Sequence, residues 1–342
     1  MLSPMSWNKI PIKNRELQLI GTLNGGQSFR WTFDRNENIW TGIFAKTVWR
    51  LQEEDDCLKY IVLGSLLKKT DSDSEKQTVY KNLLQKYFRL DVDLSNYYKT
   101  WSEKDDLFKS ACVQFYGIRM LAQEPVENLF SFICSQNNHI SRISSMVEKL
   151  CTHYGEKICE VNDISYYSFP DVEKLAQPKV ESQLRELGFG YRAKFIKKSA
   201  DQIVEWGGEE WFKGLQVKMY KDARTELMKL CGIGPKVADC ICLMSLNHLD
   251  ALPVDTHVYQ IAAQNYLPHL KGKKNVTEKI YTEIGDHFRS LYGDLAGWAH
   301  TVLFCADLKK FQQNDSLEDI PQKRKKSDSR GCCNQCWSKY CA

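Results

Sequence analysis

From Gly26 to about Gly64 the apolar residues come in short aromatic and β-branched runs, "QSFRWTFD", "IWTGIFAKTVWRLQEE" and "CLKYIVLG", parted by polar turns such as "DRNEN" and "EEDD". Such runs read as antiparallel strands with tight connections. After a polar break at 68–77, "KKTDSDSEKQ", the period lengthens to that of helices. Val126, Leu129, Phe130 and Ile133 share one helical face, and Ile140, Ile143, Val147 and Leu150 another. Val276, Ile280, Ile284 and Phe288 form a third stripe; Leu295, Trp298, Ala299, Val302 and Leu303 form a fourth. A sheet at one end and helices over the rest predict an α+β fold. The expected division is an N-terminal antiparallel β domain with flanking helices over 1–120, a helical region over 121–311 and a tail over 312–342. The tail loses all periodicity and is expected to be disordered.

The 342 residues suffice for two or three sub-domains around a sizeable core. No apolar run is long enough to span a bilayer. The first residues, "MLSPMSWNKIPIKNRELQ", lack the apolar stretch of a secretory signal. Thirteen cysteines are scattered, often inside helical patterns, which suits free thiols in a reducing compartment. The segment 321–330 carries five basic residues against one acid, a surplus equal to the net charge of +4 for the whole chain. Any nucleic-acid surface in the folded part therefore depends on local clustering of charge.

The stretch "TELMKLCGIGPKVADCICLMSL", 225–246, reads as helix, turn, helix. Thr225 to Cys231 closes the first helix, Gly232 suits a left-handed cap, Gly234 permits close backbone approach, and Pro235 suits the first turn of the second helix. The exposed turn amides could hold a phosphate, and a monovalent cation could assist them. A DNA-binding module and a plain tight turn remain open on this evidence. Lys236 sits at the wrong end of the helix macrodipole for a cation. It is either a surface lysine or an amine kept partly uncharged there, since a free ammonium of pKa about 10.4 is a poor nucleophile. Nineteen residues on, in "ALPVDTHVYQIAAQ", Asp255 stands where a helix begins, as a cap whose backbone bonds keep it ionised. An amine and a fixed carboxylate together suit attack on a sugar C1′, where the carboxylate steadies oxocarbenium character.

With these residues in place the chain resembles the helix-hairpin-helix DNA glycosylase superfamily and, within it, the eukaryotic 8-oxoguanine DNA glycosylases. The similarity runs from about Ile10 to Phe311 through "NGGQSFRW", "YFRLDVDL", "FSFICSQNNHISRI", "LGFGYRAKFI", "GIGPKVADCICLM", "PVDTHV" and "AGWAHTVLFCADL". The resemblance implies that Lys236 is a Schiff-base nucleophile and Asp255 its electrostatic and proton-transfer partner. It implies that the Gly26 carbonyl meets the N7 hydrogen of the damaged base, a contact worth about 1–3 kcal/mol over guanine, with more supplied by extrusion of the base. Cys240 and Phe304 would enclose that base. Asn137 would fill the space it vacates, Arg142 and Arg192 would bond the orphaned cytosine, and Tyr191 would wedge into the stack. Gly232 and Gly234 would hold the DNA backbone, and His257 would meet a phosphate. In "AGWAHTVLF" the chain departs from the family, which has glutamine where His300 stands. The expectation is that His300 still contacts the base, with a different hydrogen-bond geometry.

The reading that follows is a bifunctional glycosylase and β-eliminating lyase that excises 8-oxoguanine and related oxidised purines from duplex DNA, opposite cytosine. A monofunctional alkylpurine glycosylase would not need Lys236, and a non-catalytic hairpin module would require no particular residue at 236 or 255. No tightly held cofactor or metal is expected. The terminal Cys332, Cys333, Cys336 and Cys341 fit neither a zinc nor an iron–sulfur spacing and read as a thiol-rich tail. The run "PQKRKK" resembles a nuclear import signal. The expected partner is double-stranded DNA carrying the lesion, bound by a monomer without a membrane, in the nucleus and in the mitochondrion as a second site.

Overall fold

A computed structural model describes residues 7–68, 72–273 and 275–315, with side chains described as far as Asp307. The basic run and the four terminal cysteines lie outside the described residues. Five antiparallel strands, β1 (Asn8–Pro11), β2 (Trp31–Asp34), β3 (Ile39–Phe44), β4 (Thr47–Glu54) and β5 (Cys57–Ser65), form a sheet in the order β1-β5-β4-β3-β2. Ala45 and Lys46, both at positive φ, make the two-residue turn that folds β3 back on β4. The run "IWTGIFAKTVWRLQEE" is thus two strands. Helix α1 (Leu19–Asn24) precedes β2, so Gly26 lies in a helix-to-strand loop and the alternating pattern begins as strand only at Trp31.

The sheet buries Trp31, Trp49, Leu51 and Tyr60 against Tyr80, Leu84 and Tyr87 of α2 (Asp73–Tyr87). Phe44 stacks between Trp49 and Tyr87, its ring centroid 4.8 and 4.0 Å from theirs. The polar break is shorter than its composition suggests. Ser72 Oγ accepts the Glu75 amide at 3.2 Å, and α2 starts inside the expected loop.

Helices build the second core: α3 (Leu94–Lys104), α4 (Asp106–Ala111), α5 (Pro125–Ser135), α6 (Ile140–Tyr154), α7 (Val172–Leu175), α8 (Val180–Glu186), α9 (Arg192–Glu205), α10 (Glu209–Gln216), α11 (Tyr220–Leu227), α12 (Pro235–Met244), α13 (Thr256–Ile261), α14 (Glu278–Tyr292) and α15 (Ala296–Asp315). A hairpin of β6 (Lys157–Val161) and β7 (Ile164–Tyr167), absent from the sequence reading, interrupts them. Val276 is not in the third stripe: it precedes α14 and is exposed. α3 and α4 pack with the helical core, where Trp101, Phe108 and Tyr292 meet edge to face or tilted.

Residues 118–123 cross between the two cores, Ile118 and Met120 packing in the helical one and Leu121 in that of the sheet. Here the Arg119 guanidinium is buried and donates to the Glu16 carboxylate (2.5 Å) and to the carbonyls of Glu16 (2.6 Å), Arg89 (3.0 Å) and Val92 (2.9 Å). Trp298 Nε1 donates to the Ile118 carbonyl at 2.7 Å, which ties α15 to the same crossing. Among the described residues no helix is long and apolar enough to cross a membrane.

Candidate active site

The hairpin's first helix, α11, ends at Leu227, four residues short of the expected end, and a turn carries the chain to α12. Gly232 has φ +82°, and a Cβ there would lie 2.5 Å from the Phe195 ring, so only glycine fits. Gly234 takes the N-cap position and Pro235 opens α12. Lys236 follows in the first turn, partly buried, with Nζ 5.2 Å from the centroid of the Phe132 ring. Phe132 in turn meets Phe29, at 5.8 Å, from the loop that carries Gly26.

Asp255 caps α13, its Oδ1 accepting the Val258 amide at 2.9 Å. Next to it His257 is buried and turns Nδ1 to Asp307 Oδ2 at 3.3 Å. This bond raises the His257 pKa against the opposing effect of burial, with the charges of Asp255 and Asp307 adding to the rise. The His257 ring meets Phe304 edge-on at 5.9 Å. Gly26, at φ +75°, lies against Phe304, whose Cε1 would be 4.0 Å from a Cβ at that position. Gly26, Phe304 and His257 therefore share one corner.

His300 is one turn before Phe304 on α15 and 4% exposed. Its ring lies between Phe288 (5.5 Å) and Phe304 (6.5 Å), and its Nε2 is buried with no hydrogen-bond partner among the described residues. Burial alone pushes its pKa down to about 4, so the imidazole is neutral at pH 7. Cys240 is likewise buried, one turn after Lys236 on α12.

The second cluster forms around the loop between α5 and α6. Gln136 Nε2 donates to the Gly232 carbonyl at 2.6 Å, joining this loop to the hairpin. Asn137 is exposed at φ +45°. Arg192 is not presented to solvent as its expected role suggests. It is 3% exposed and donates to the carbonyls of Gln136 and Asn137 (3.1 Å to the latter). Tyr191 is exposed over the same loop, its hydroxyl donating to the Gln136 carbonyl at 3.2 Å. Arg142 is exposed and reaches the Gly188 carbonyl at 3.4 Å. The hairpin carbonyls of Gly232 and Cys231 accept bonds from Gln136 and, at 2.9 Å, from Ser199 Oγ. Among the described residues no group of three or more histidine, cysteine or acidic side chains could hold a metal ion. A cavity of about 720 Å³ lined by Lys46, Tyr154, Asp171 and Lys179 lies apart from both clusters.

Two family models cover this architecture: 8-oxoguanine DNA glycosylase, N-terminal domain, over residues 9–129, and HhH-GPD superfamily base excision DNA repair protein, over 130–285. The N-glycosylase/DNA lyase of Saccharomyces cerevisiae is 39% identical over 336 residues, covering 88% of this chain and 86% of the yeast protein. The chain belongs to the 8-oxoguanine DNA glycosylase family. It is accordingly a DNA N-glycosylase with lyase activity. An N-glycosylase/DNA lyase OGG1 of Arabidopsis thaliana is 33% identical over 96% of this chain and 87% of its own length. The Clostridium acetobutylicum 8-oxoguanine glycosylase/lyase, solved in complex with double-stranded DNA containing cytosine opposite 8-oxoguanine, superposes with a TM-score of 0.73 at 30% identity. That match covers 86% of this chain and 93% of the clostridial one.

Asp239 of this glycosylase was not among the expected site residues. Three residues after Lys236, its side chain is fully buried and accepts from Tyr220 (2.7 Å), Arg224 (3.3 Å) and Tyr281 (2.5 Å). The Tyr281 hydroxyl also accepts the amide of Val254, the residue before Asp255, at 3.1 Å. One tyrosine thus fixes the helix of Lys236 relative to the backbone of Asp255. The available signal was an acid inside the otherwise apolar run "VADCICLM", since a buried carboxylate requires partners.

Proposed function

We propose that this protein excises 8-oxoguanine and related oxidised purines, paired with cytosine, from double-stranded DNA and then cuts the strand through a lysine Schiff base. The observation that carries the reading is the tie just described. Asp239 and Tyr281 hold the first turn that bears Lys236 in a set relation to the cap at Asp255. In this reaction the neutral Lys236 amine forms a bond to C1′ as the glycosidic bond breaks, and its electron pair leaves with the base. The Asp255 carboxylate stabilises the positive charge that develops on the sugar. Transfer of an amine proton by way of Asp255 to O4′ opens the sugar ring and gives the protonated imine, and loss of a C2′ proton then expels the 3′ phosphate.

Gly26, Cys240, Phe304 and the neutral His300 enclose the extruded base, the last supplying one donor or one acceptor at each ring nitrogen. Asn137 and Tyr191 enter the space left in the helix, and Arg142 meets the orphaned cytosine. Arg192 contributes by holding Asn137 from behind. His257 contacts a phosphate through the nitrogen not turned to Asp307, and the hairpin amides at Gly232 and Gly234 hold the backbone. The basic run of the tail directs the protein to the nucleus.

Borohydride reduction in the presence of an 8-oxoguanine duplex tests the mechanism. A covalent protein–DNA species is expected from the native chain and none from Lys236→Gln. Equal trapping by the variant would remove the lysine from the chemistry, and excision without any trapped species would favour the monofunctional class.

A further inference from the structure

Gln27, directly after Gly26, is 1% exposed and bound at both ends. Its side-chain Nε2 donates to the Arg119 carbonyl at 2.9 Å, and its Oε1 accepts the Leu121 amide at 2.9 Å. Its own carbonyl accepts from Gln123 Nε2 at 2.5 Å. Gln123 also reaches the other way. Its backbone amide donates to the Met244 carbonyl at 2.9 Å, and its Nε2 lies 3.5 Å from Met244 Sδ. Met244 is the last residue of α12, whose first turn carries Lys236. That end of the helix is itself held, because Ser245 accepts from Asn128 at its hydroxyl (2.7 Å) and from Gln216 at its carbonyl (3.1 Å).

We infer that Gln123 is a positioning residue for base recognition, holding the Gly26 loop in register with the helix of Lys236. The inference rests on the reading in which the Gly26 carbonyl meets the base. At φ +75° Gly26 occupies a backbone region that glycine enters and leaves without steric penalty, so its own sequence does not fix where its carbonyl points. Anchoring the next residue by side chain and carbonyl together removes that freedom. Gln123 supplies the anchor that comes from the helical side of the molecule. A primary amide suits the position because it carries two N–H donors, one for the Gln27 carbonyl and one turned to the sulfur.

The experiment uses the full chain with Gln123→Met, which keeps volume but has no donor, and Gln123→Glu, which sets a carboxylate against the carbonyl. Three single-turnover rates are measured: excision of 8-oxoguanine opposite cytosine, excision of guanine in the same context, and strand cleavage at a preformed abasic site. Loss of a buried hydrogen bond at this point is expected to slow 8-oxoguanine excision by about five- to a hundredfold. The preference over guanine should shrink, while abasic cleavage, which has no base to read, stays within about threefold of native. Equal loss of excision and abasic cleavage in both variants, or a collapse of melting temperature in both, would mean a merely structural role and overturn the inference. Native excision and native preference would overturn it as well. The proposed chemistry is judged separately by the Lys236→Gln trap: an intact trap with unaltered preference in the Gln123 variants sinks the brace alone.

Discussion

His300 ties the stability of the fold to pH. Burial depresses its folded pKa to about 4, against 6.5 when exposed. Between these values the unfolded chain binds the proton and the folded chain does not. Stability from this group is therefore present above about pH 6.5 and is lost as pH falls through the window, at most about 1.4 kcal/mol per pH unit. Urea denaturation at stepped pH should show the native protein losing stability relative to His300→Gln by that slope as pH falls from about 6.5 to 4, the other titrating groups being common to both chains. The same variant restores the amide of the family pattern. Because an amide and an imidazole place donor and acceptor differently, the relative excision rates on 8-oxoguanine and other oxidised purines should shift by about fivefold or more. Unchanged ratios would place His300 outside the recognition surface.

Among the elements, the hairpin has the tightest local requirement. Gly232→Ala would put a methyl group into the Phe195 ring at an unfavourable φ, with an expected loss of about 1–3 kcal/mol. A lowered urea midpoint together with weaker duplex binding would bear this out; native values for both would refute it. Here sequence and structure agree because the demand is local: glycine at a left-handed turn and proline at a first helical position are read from neighbours. The four helical stripes were legible for the same reason, apart from Val276 and Leu295, which lie just before the helices that carry the rest of their stripes. β1 and the β6–β7 hairpin were not, since each is only four or five residues long and carries no full alternating pattern. At the site, Lys236 and Asp255 stood out by position on their helices. Asp239 did not, because the groups that make it tolerable lie 15 to 42 residues away. The burial of Arg192 was equally hidden: its carbonyl partners come from a loop 55 and 56 residues earlier.

For the molecule as a whole, the crossing at 118–123 joins the two cores. Arg119→Met would leave the Glu16 carboxylate buried beside the Leu94 and Ser95 amides without its cation. A loss of about 3–5 kcal/mol is expected, seen as a lower midpoint in chemical denaturation. A change below about 1 kcal/mol would show that the ion pair is dispensable.

The same crossing bears on how the duplex is handled. Bound to Glu16, Arg89 and Val92 through Arg119, to α15 through Trp298 and to the end of α12 through Gln123, it pins the two cores to each other. A duplex that bends and unstacks to give up a nucleotide would do so against a surface whose two cores are tied at one short segment.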